Sequence, residues 1–249
     1  MRFFNHPRGI PSKLLCVFFL FLTANILFWG HARPLRLEWN NVPPVPNRLS
    51  ALWTGLGDQQ LAYRLYGLFM QNMGDTGGRS VSIKQFDYKE LKKWFLLQYS
   101  LDTRSDFSPF LAGYFFGNNS NPEQLTHIVD YLEVAAGDED GKQWRFLAQA
   151  AFLARFKMKD LDRALQIADK LVKMDNPEMP PWTRQMPAIV LSAKGEKEAA
   201  FEFMLSLLQT ERENLHPNEV NAMVDFICTR TLDEADPRLQ AVCKDYESP

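Results

Sequence analysis

Residues 14–30 read LLCVFFLFLTANILFWG, seventeen positions without a charge. Lipid offers backbone groups no partners, so a run like this crosses a bilayer only as a helix that satisfies its own hydrogen bonds. At about 1.5 Å per residue it spans about 25 Å of a roughly 30 Å hydrocarbon core. Ile10 to Ser12 upstream, or His31 and Ala32 downstream, supply the missing turn, and Trp29 falls where an interfacial aromatic belongs. Arg2, Arg8 and Lys13 precede the run without an acidic residue among them. That bias places residues 1–13 in the cytoplasm and the rest outside it, although Arg33 and Arg36 weaken the asymmetry. The expectation is a transmembrane signal anchor at residues 14–32 in an inner (cytoplasmic) membrane, with a periplasmic C-terminal domain.

A cleaved secretory signal is the alternative, because Gly30-His31-Ala32 offers small residues at the two positions a signal peptidase inspects. Retention is favoured: the run is more apolar than export needs, and Arg33-Pro34 is a poor start for a mature chain. Cys16 lies at the front of the run with no small residue before it, which reads as a membrane-helix thiol and not as a lipidation site.

Next come residues 33–57, a spacer whose Pro43, Pro44 and Pro46 hold the backbone extended. Residues 58–249 form the domain. Of the chain's 28 basic and 30 acidic side chains, four basic ones (Arg2, Arg8, Lys13, Arg33) precede residue 34, which leaves the remainder at about −6. A nucleic-acid groove needs a basic stripe, so no nucleic-acid partner is expected.

The apolar spacing beyond residue 57 is helical. Leu161, Ala164, Leu165, Ala168, Leu171 and Val172 recur at three and four residues, as do Trp144, Leu147, Ala148, Ala151 and Phe152. Asp87 with Glu90 reads as a capping box, and Asn121-Pro122, His216-Pro217 and Asp236-Pro237 set proline at a first helical position. Helices are expected near 58–73, 87–101, 106–116, 122–136, 142–156, 160–174, 181–194, 196–212, 217–231 and 236–246, with no convincing strand and with a kink at Pro187.

Short loops between amphipathic helices make neighbours antiparallel, and Ala164 recurs at Ala199, thirty-five residues on, while Trp144 recurs at Trp182. The segment KDLDRALQIADKLVKMDNP, with Ala164, Ala168, Leu171 and Pro177, resembles the second half of a tetratricopeptide repeat. The resemblance covers residues 142–213 as two degenerate units. It implies an all-α fold of antiparallel helix hairpins stacked as a tetratricopeptide-like solenoid, and a protein-binding surface. From the anchor through QNMGDTGGR to RSDFSPFLAGYFFG the chain also resembles bacterial single-pass membrane proteins with an exported helical domain, which implies no activity.

The glycines of QNMGDTGGR raise a phosphate loop, which would need a preceding strand, a Gly-Lys-Ser/Thr end and a helix directly after. None is present. Gly74 reads as the left-handed end of a helix that turns Leu61, Leu65, Leu68 and Phe69 inward, and Gly77-Gly78 as a reversal into a surface loop. Asp75 and Arg79 in that loop are candidate partner contacts.

His127, Asp130 and Glu133 share a helix face but read as a solvated surface and not as metal ligands, His216 reads as a helix start, and no serine or cysteine sits in a nucleophile-like context. No cofactor is expected. Cys228 and Cys243, fifteen residues apart, either form a disulfide outside the cytoplasm or remain two buried thiols. Phe107, Phe110, Tyr114, Phe115 and Phe116 carry more aromatic area than one helix stripe needs, so Phe107, Tyr114 and Phe115 are candidates for a groove that takes peptide or glycan. These features lead to an expected membrane-anchored, non-catalytic scaffold or adaptor for another envelope protein. The alternative is an envelope enzyme or substrate-binding subunit acting on glycan or peptide, with Asp130 and Glu133 as its carboxylates.

Overall fold

In the computed structural model, α1 (Ser12–Ala32) is the helix of the apolar run. Residues 12–32, 42–76, 79–137, 143–174 and 176–244 are described. The one polar hydroxyl in the middle of α1, Thr23 Oγ1, donates to the carbonyl of Phe19 at 2.8 Å, which keeps it bonded within its own helix. Among the described residues Lys13–Ala32 is the one segment long and apolar enough to cross a membrane.

A second compact unit, Asn40–Pro249, begins earlier than the sequence pattern indicates. Val42 is buried, and the indole N–H of Trp94 donates to the Pro43 carbonyl at 2.7 Å, so the end of the proline stretch belongs to the core. Residues Arg48–Thr54 then form a short helix, α2, inside the stretch read as spacer. Its cap is Asn47, whose side chain accepts from the amide of Ser50, and Ala51 is its buried contact.

The remaining α-helices follow as α3 (Gln59–Gln71), α4 (Tyr88–Leu101), α5 (Phe107–Phe110), α6 (Pro122–Ala136), α7 (Trp144–Phe152), α8 (Leu161–Val172), α9 (Trp182–Lys194), α10 (Lys197–Glu211), α11 (Pro217–Arg230) and α12 (Pro237–Val242). Their starts are chemically specified. Side chains of Asp58, Asp87, Asn121, Asp160, His216 and Asp236 each accept from a backbone amide one turn in, an interaction worth about 1 kcal/mol per cap. The capping box at Asp87 is half made: Glu90 turns to Lys93 instead. The expected helix at 181–194 runs through Pro187 as one α-helix.

Two helices loosen at their C-terminal ends into π-helical turns, α5 into Leu111–Phe115 and α7 into Leu153–Met158. Neighbours in sequence pack against each other from α6 through α12, as do α3 on α4 and α4 on α6. One apolar cluster runs from Val42 to Val190, with Phe95 stacked on Tyr131 at 4.9 Å and Phe116 set edge-on to Phe86, Tyr88 and Phe95. A second cluster joins Ala188, Phe201, Met204, Met223, Ile227 and Leu239. The fold is therefore helical, apart from one two-residue ladder.

That ladder is QNMGDTGGR. Asp75–Thr76 pairs antiparallel with Arg79–Ser80, and the segment lacks the Gly-Lys-Ser/Thr end and the directly following helix of a phosphate loop. Gly77 and Gly78, with the side chains of Asp75 and Arg79, lie outside the described residues. Gly74 is left-handed at φ 88°, and a Cβ there would come within 2.5 Å of the Phe86 ring. Helix α3 also faces the other way from the expectation. It buries Ala62, Tyr63, Gly67 and Met70, while Leu61, Leu65, Leu68 and Phe69 are exposed. Small residues set this choice, because Gly67 lets the Phe107 ring lie against the α3 backbone.

Candidate binding groove

The π turn that ends α5, together with α7 and α9, supplies the groove. Gly67 of α3 touches Phe107 of α5, Gln149 of α7 donates to the Gly113 carbonyl of the first π turn at 3.1 Å, and Trp144 of α7 meets Trp182 of α9. These contacts bring α3 to α5, the π turn after α5 to α7, and α7 to α9. Between α7, α9 and the π turn that follows α5 opens a cavity of about 350 Å³ whose walls include Tyr114, Trp144, Phe152, Trp182 and Met186. A second of about 290 Å³ continues from it, sharing Tyr114, Gln149 and Phe152.

The second cavity lies between the two π turns, with Gly113 and Gly117 on one side and Leu153 and Lys157 on the other. A π turn takes an extra residue per turn and offsets the helical hydrogen bonds, which leaves carbonyls to be satisfied by side chains. Here Gln149 serves Gly113, and Asn118 Nδ2 donates to the Tyr114 carbonyl at 2.7 Å. Gly113 and Gly117 keep the floor low: a Cβ at Gly113 would lie 3.0 Å from Gln149, and one at Gly117 3.2 Å from Leu153.

The walls are aromatic and exposed. Tyr114 is 46% exposed and stacks on Phe110 at 4.7 Å, and Phe152 packs on Phe156 at 4.8 Å. The charged groups lining the two cavities are Arg145 and Lys157, with no carboxylate among the lining residues. Arg145 holds Asp106 loosely at 3.6 Å, with both side chains open to water. Nearby, the Arg155 guanidinium lies 4.4 Å over the Phe156 ring. Burial first, and the positive charge of Arg230 second, hold its pKa below the ordinary arginine value. A groove formed by a chain of overall acidic balance thus presents apolar rings and cations.

Of the residues singled out in the sequence, Tyr114 lines the groove, and Phe107 abuts α3 in the same row of helices. Phe115 is 51% exposed, but its ring sits edge-on to Phe116 and it lines neither cavity. Trp144, Phe152 and Trp182 are the groove residues that sequence reasoning passed over; the two tryptophans served there only as markers of the repeat. Asp130 and Glu133 are not part of the groove. Lys92 and Arg163 pair with Asp130 at 2.8 and 2.9 Å, and Arg163 and Lys170 both pair with Glu133, in a network tying α4, α6 and α8. Among the described residues no group of three or more His, Cys, Asp or Glu is placed to hold a metal ion.

Cys228 and Cys243 form a disulfide between α11 and the end of α12, with Cα atoms 5.9 Å apart, and His216 Nδ1 caps α11 by accepting from the Asn218 amide at 3.2 Å. Set against known family models, curated proteins and solved structures, the chain has no match.

Proposed function

We propose that this protein is a membrane-anchored, non-catalytic scaffold or adaptor whose helices stack as a tetratricopeptide-like solenoid and bind a segment of another envelope protein, as in bacterial single-pass proteins of this organisation. The observation that carries the reading is the groove shared by α5, α7 and α9. It is open and ring-lined, its lining carries Arg145 and Lys157 and no carboxylate, and that charge favours a peptide with acidic as well as apolar side chains. Stacked hairpins create such surfaces by lining up their first helices.

The address supports the same reading. An apolar helix at Lys13–Ala32 fits an anchor in the inner membrane, and a disulfide in the helical unit fits an oxidising space beyond it. The catalytic alternative loses its proposed carboxylates, since Asp130 and Glu133 are engaged by three cations on α4 and α8.

The test is crosslinking with mass spectrometry on intact cells carrying the full chain with a C-terminal tag, combined with protease accessibility of the tag. The scaffold reading expects a tag that protease reaches once the outer envelope is opened while the inner membrane stays sealed, and one reproducible protein partner crosslinked near α5, α7 or α9. A tag reached only after the inner membrane is broken, or a periplasmic chain with no protein partner, contradicts it.

A further inference from the structure

The loop that joins α2 to α3 holds its one large side chain in water. Leu56 is 87% exposed and left-handed at φ 55°, a backbone region that leucine rarely enters. Its neighbours enforce this. Gly55 packs so closely on α3 that a Cβ would lie 2.5 Å from the Asp58 carbonyl oxygen and 2.6 Å from the Ala62 amide, while Gly57 takes φ 87°. Strain of this kind, held by surrounding structure, points from the outlier toward a use for it.

The use is indicated by what stands beside it. Leu49, 67% exposed, and Trp53, 73% exposed, lie four residues apart on one face of α2, and Leu56 follows in the turn directly after that helix. On the other side of α2, Ala51 is fully buried and Leu52 packs on the core, so this outward face is fixed by the fold. Three large apolar side chains, one of them tryptophan, make a small wedge of the kind that sits at the boundary between headgroups and acyl chains.

The chain also restricts where the wedge can go. Only residues 33–41 separate Ala32, the end of the apolar helix, from Val42 in the core, a reach of at most about 35 Å at full extension. We infer that the Leu49, Trp53 and Leu56 face inserts into the outer interface of the same bilayer that holds α1, giving the helical unit a second contact with lipid. This rests on the anchor reading of Lys13–Ala32. The occupant is lipid and not an acidic patch of protein, because the wedge is apolar and the charged groups around it have both signs: Arg48 reaches Gln59, and Asp58 caps α3. Docking is accordingly driven by apolar area and is insensitive to salt.

The experiment uses the full chain reconstituted into phosphatidylcholine vesicles whose acyl chains carry bromine, a quencher of indole fluorescence at that depth. The difference between the native chain and Trp53→Phe isolates the Trp53 emission, and the difference from Trp29→Phe isolates Trp29 in α1. The inference expects Trp53 to lose most of its emission to bromine and little to aqueous iodide, unchanged by added salt. Quenching by iodide overturns it, and so does protection from both quenchers, which would mean that a second copy or another protein covers the face. Trp29 reports the anchor separately: if bromine does not reach Trp29, the anchor reading fails, while the Trp53 result still decides the wedge. Leu56→Asn adds a second readout, since asparagine accepts left-handed backbone. It should keep or raise the unfolding midpoint while shifting Trp53 from bromine toward iodide quenching; a lowered midpoint with Trp53 still quenched by bromine would show that Leu56 serves the fold and not the bilayer.

Discussion

Trp144 and Trp182, thirty-eight residues apart in sequence, meet edge to face with ring centroids 5.9 Å apart and planes at 67°. They are the first residues of α7 and α9, and both line the larger cavity. Two tryptophans distant in sequence thus meet on the wall of one cavity.

That relationship makes groove residues separable from folding residues. Tyr114→Ala removes a half-exposed ring stacked on Phe110, so it should cost about 1 kcal/mol of folding stability. If Tyr114 anchors a partner, the same change should weaken association by about 2 kcal/mol, close to thirtyfold in Kd. Denaturant unfolding and titration of the crosslinked partner measure the two. A stability loss with unchanged affinity would remove Tyr114 from the interface.

Gly74→Ala should destabilise far more than a loop substitution ordinarily does. The new methyl meets the buried Phe86 ring at 2.5 Å and the backbone is left-handed, a combination expected to cost about 2–4 kcal/mol. Chemical denaturation with a tryptophan probe would show it as a lowered midpoint at unchanged slope. An unchanged midpoint would mean that Phe86 has room to withdraw.

How far the sequence reaches depends on the length of the signal. Helix α6 begins and ends at Pro122–Ala136 as expected, because Asn121 caps it, proline starts it and fifteen residues carry a clear period. Helix α2 was hidden because seven residues beside three prolines show no period. The face of α3 was misjudged because four large apolar side chains look like a core stripe. What decided it is Gly67, whose missing side chain admits Phe107 from a residue forty positions away. The π turns at Leu111–Phe115 and Leu153–Met158 have no local signature, since one extra residue per turn is stabilised by packing and side-chain amides. Aromatic density in the sequence points to Tyr114, which lines both cavities, whereas Trp144 and Trp182 lie thirty-eight residues apart and only the fold brings them to one wall.

Reducing the Cys228–Cys243 disulfide should loosen the last hairpin and leave the larger core intact. A crosslinked loop of fifteen residues is worth about 3 kcal/mol on the chain-entropy account, and the cluster it staples is the smaller one around Phe201, Met204 and Ile227. Hydrogen exchange with and without reductant should show faster exchange confined to α11 and α12. Uniform acceleration through α4 and α6 would mean that the two clusters unfold as one.

Buried tyrosines predict loss of stability at high pH. Burial raises the pKa of Tyr88 from 10.0 to about 12, and raises those of Tyr63 and Tyr131 as well. Their hydroxyls bond to the Phe116 carbonyl, Ser105 and Ser108 respectively. A raised pKa means that the folded chain holds protons the unfolded chain has released. Their contribution is fully present below pH 10 and is lost as pH rises through about 12. Alkaline titration followed by phenolate absorbance should show these three ionising together with unfolding. Smooth ionisation of all of them in a folded chain would contradict the burial.

The most direct test of a membrane-held groove that binds a protein is a photoreactive phenylalanine analogue placed at Phe152 of the full chain in living cells. Position 152 lines both cavities, and an exposed α8 position such as Gln166 serves as the control. The predicted result is one discrete protein adduct at 152, absent at 166 and abolished when Arg145 and Lys157 are both changed to Glu. Adducts that are the same at both positions, that survive the charge reversal, or that consist only of lipid would contradict it.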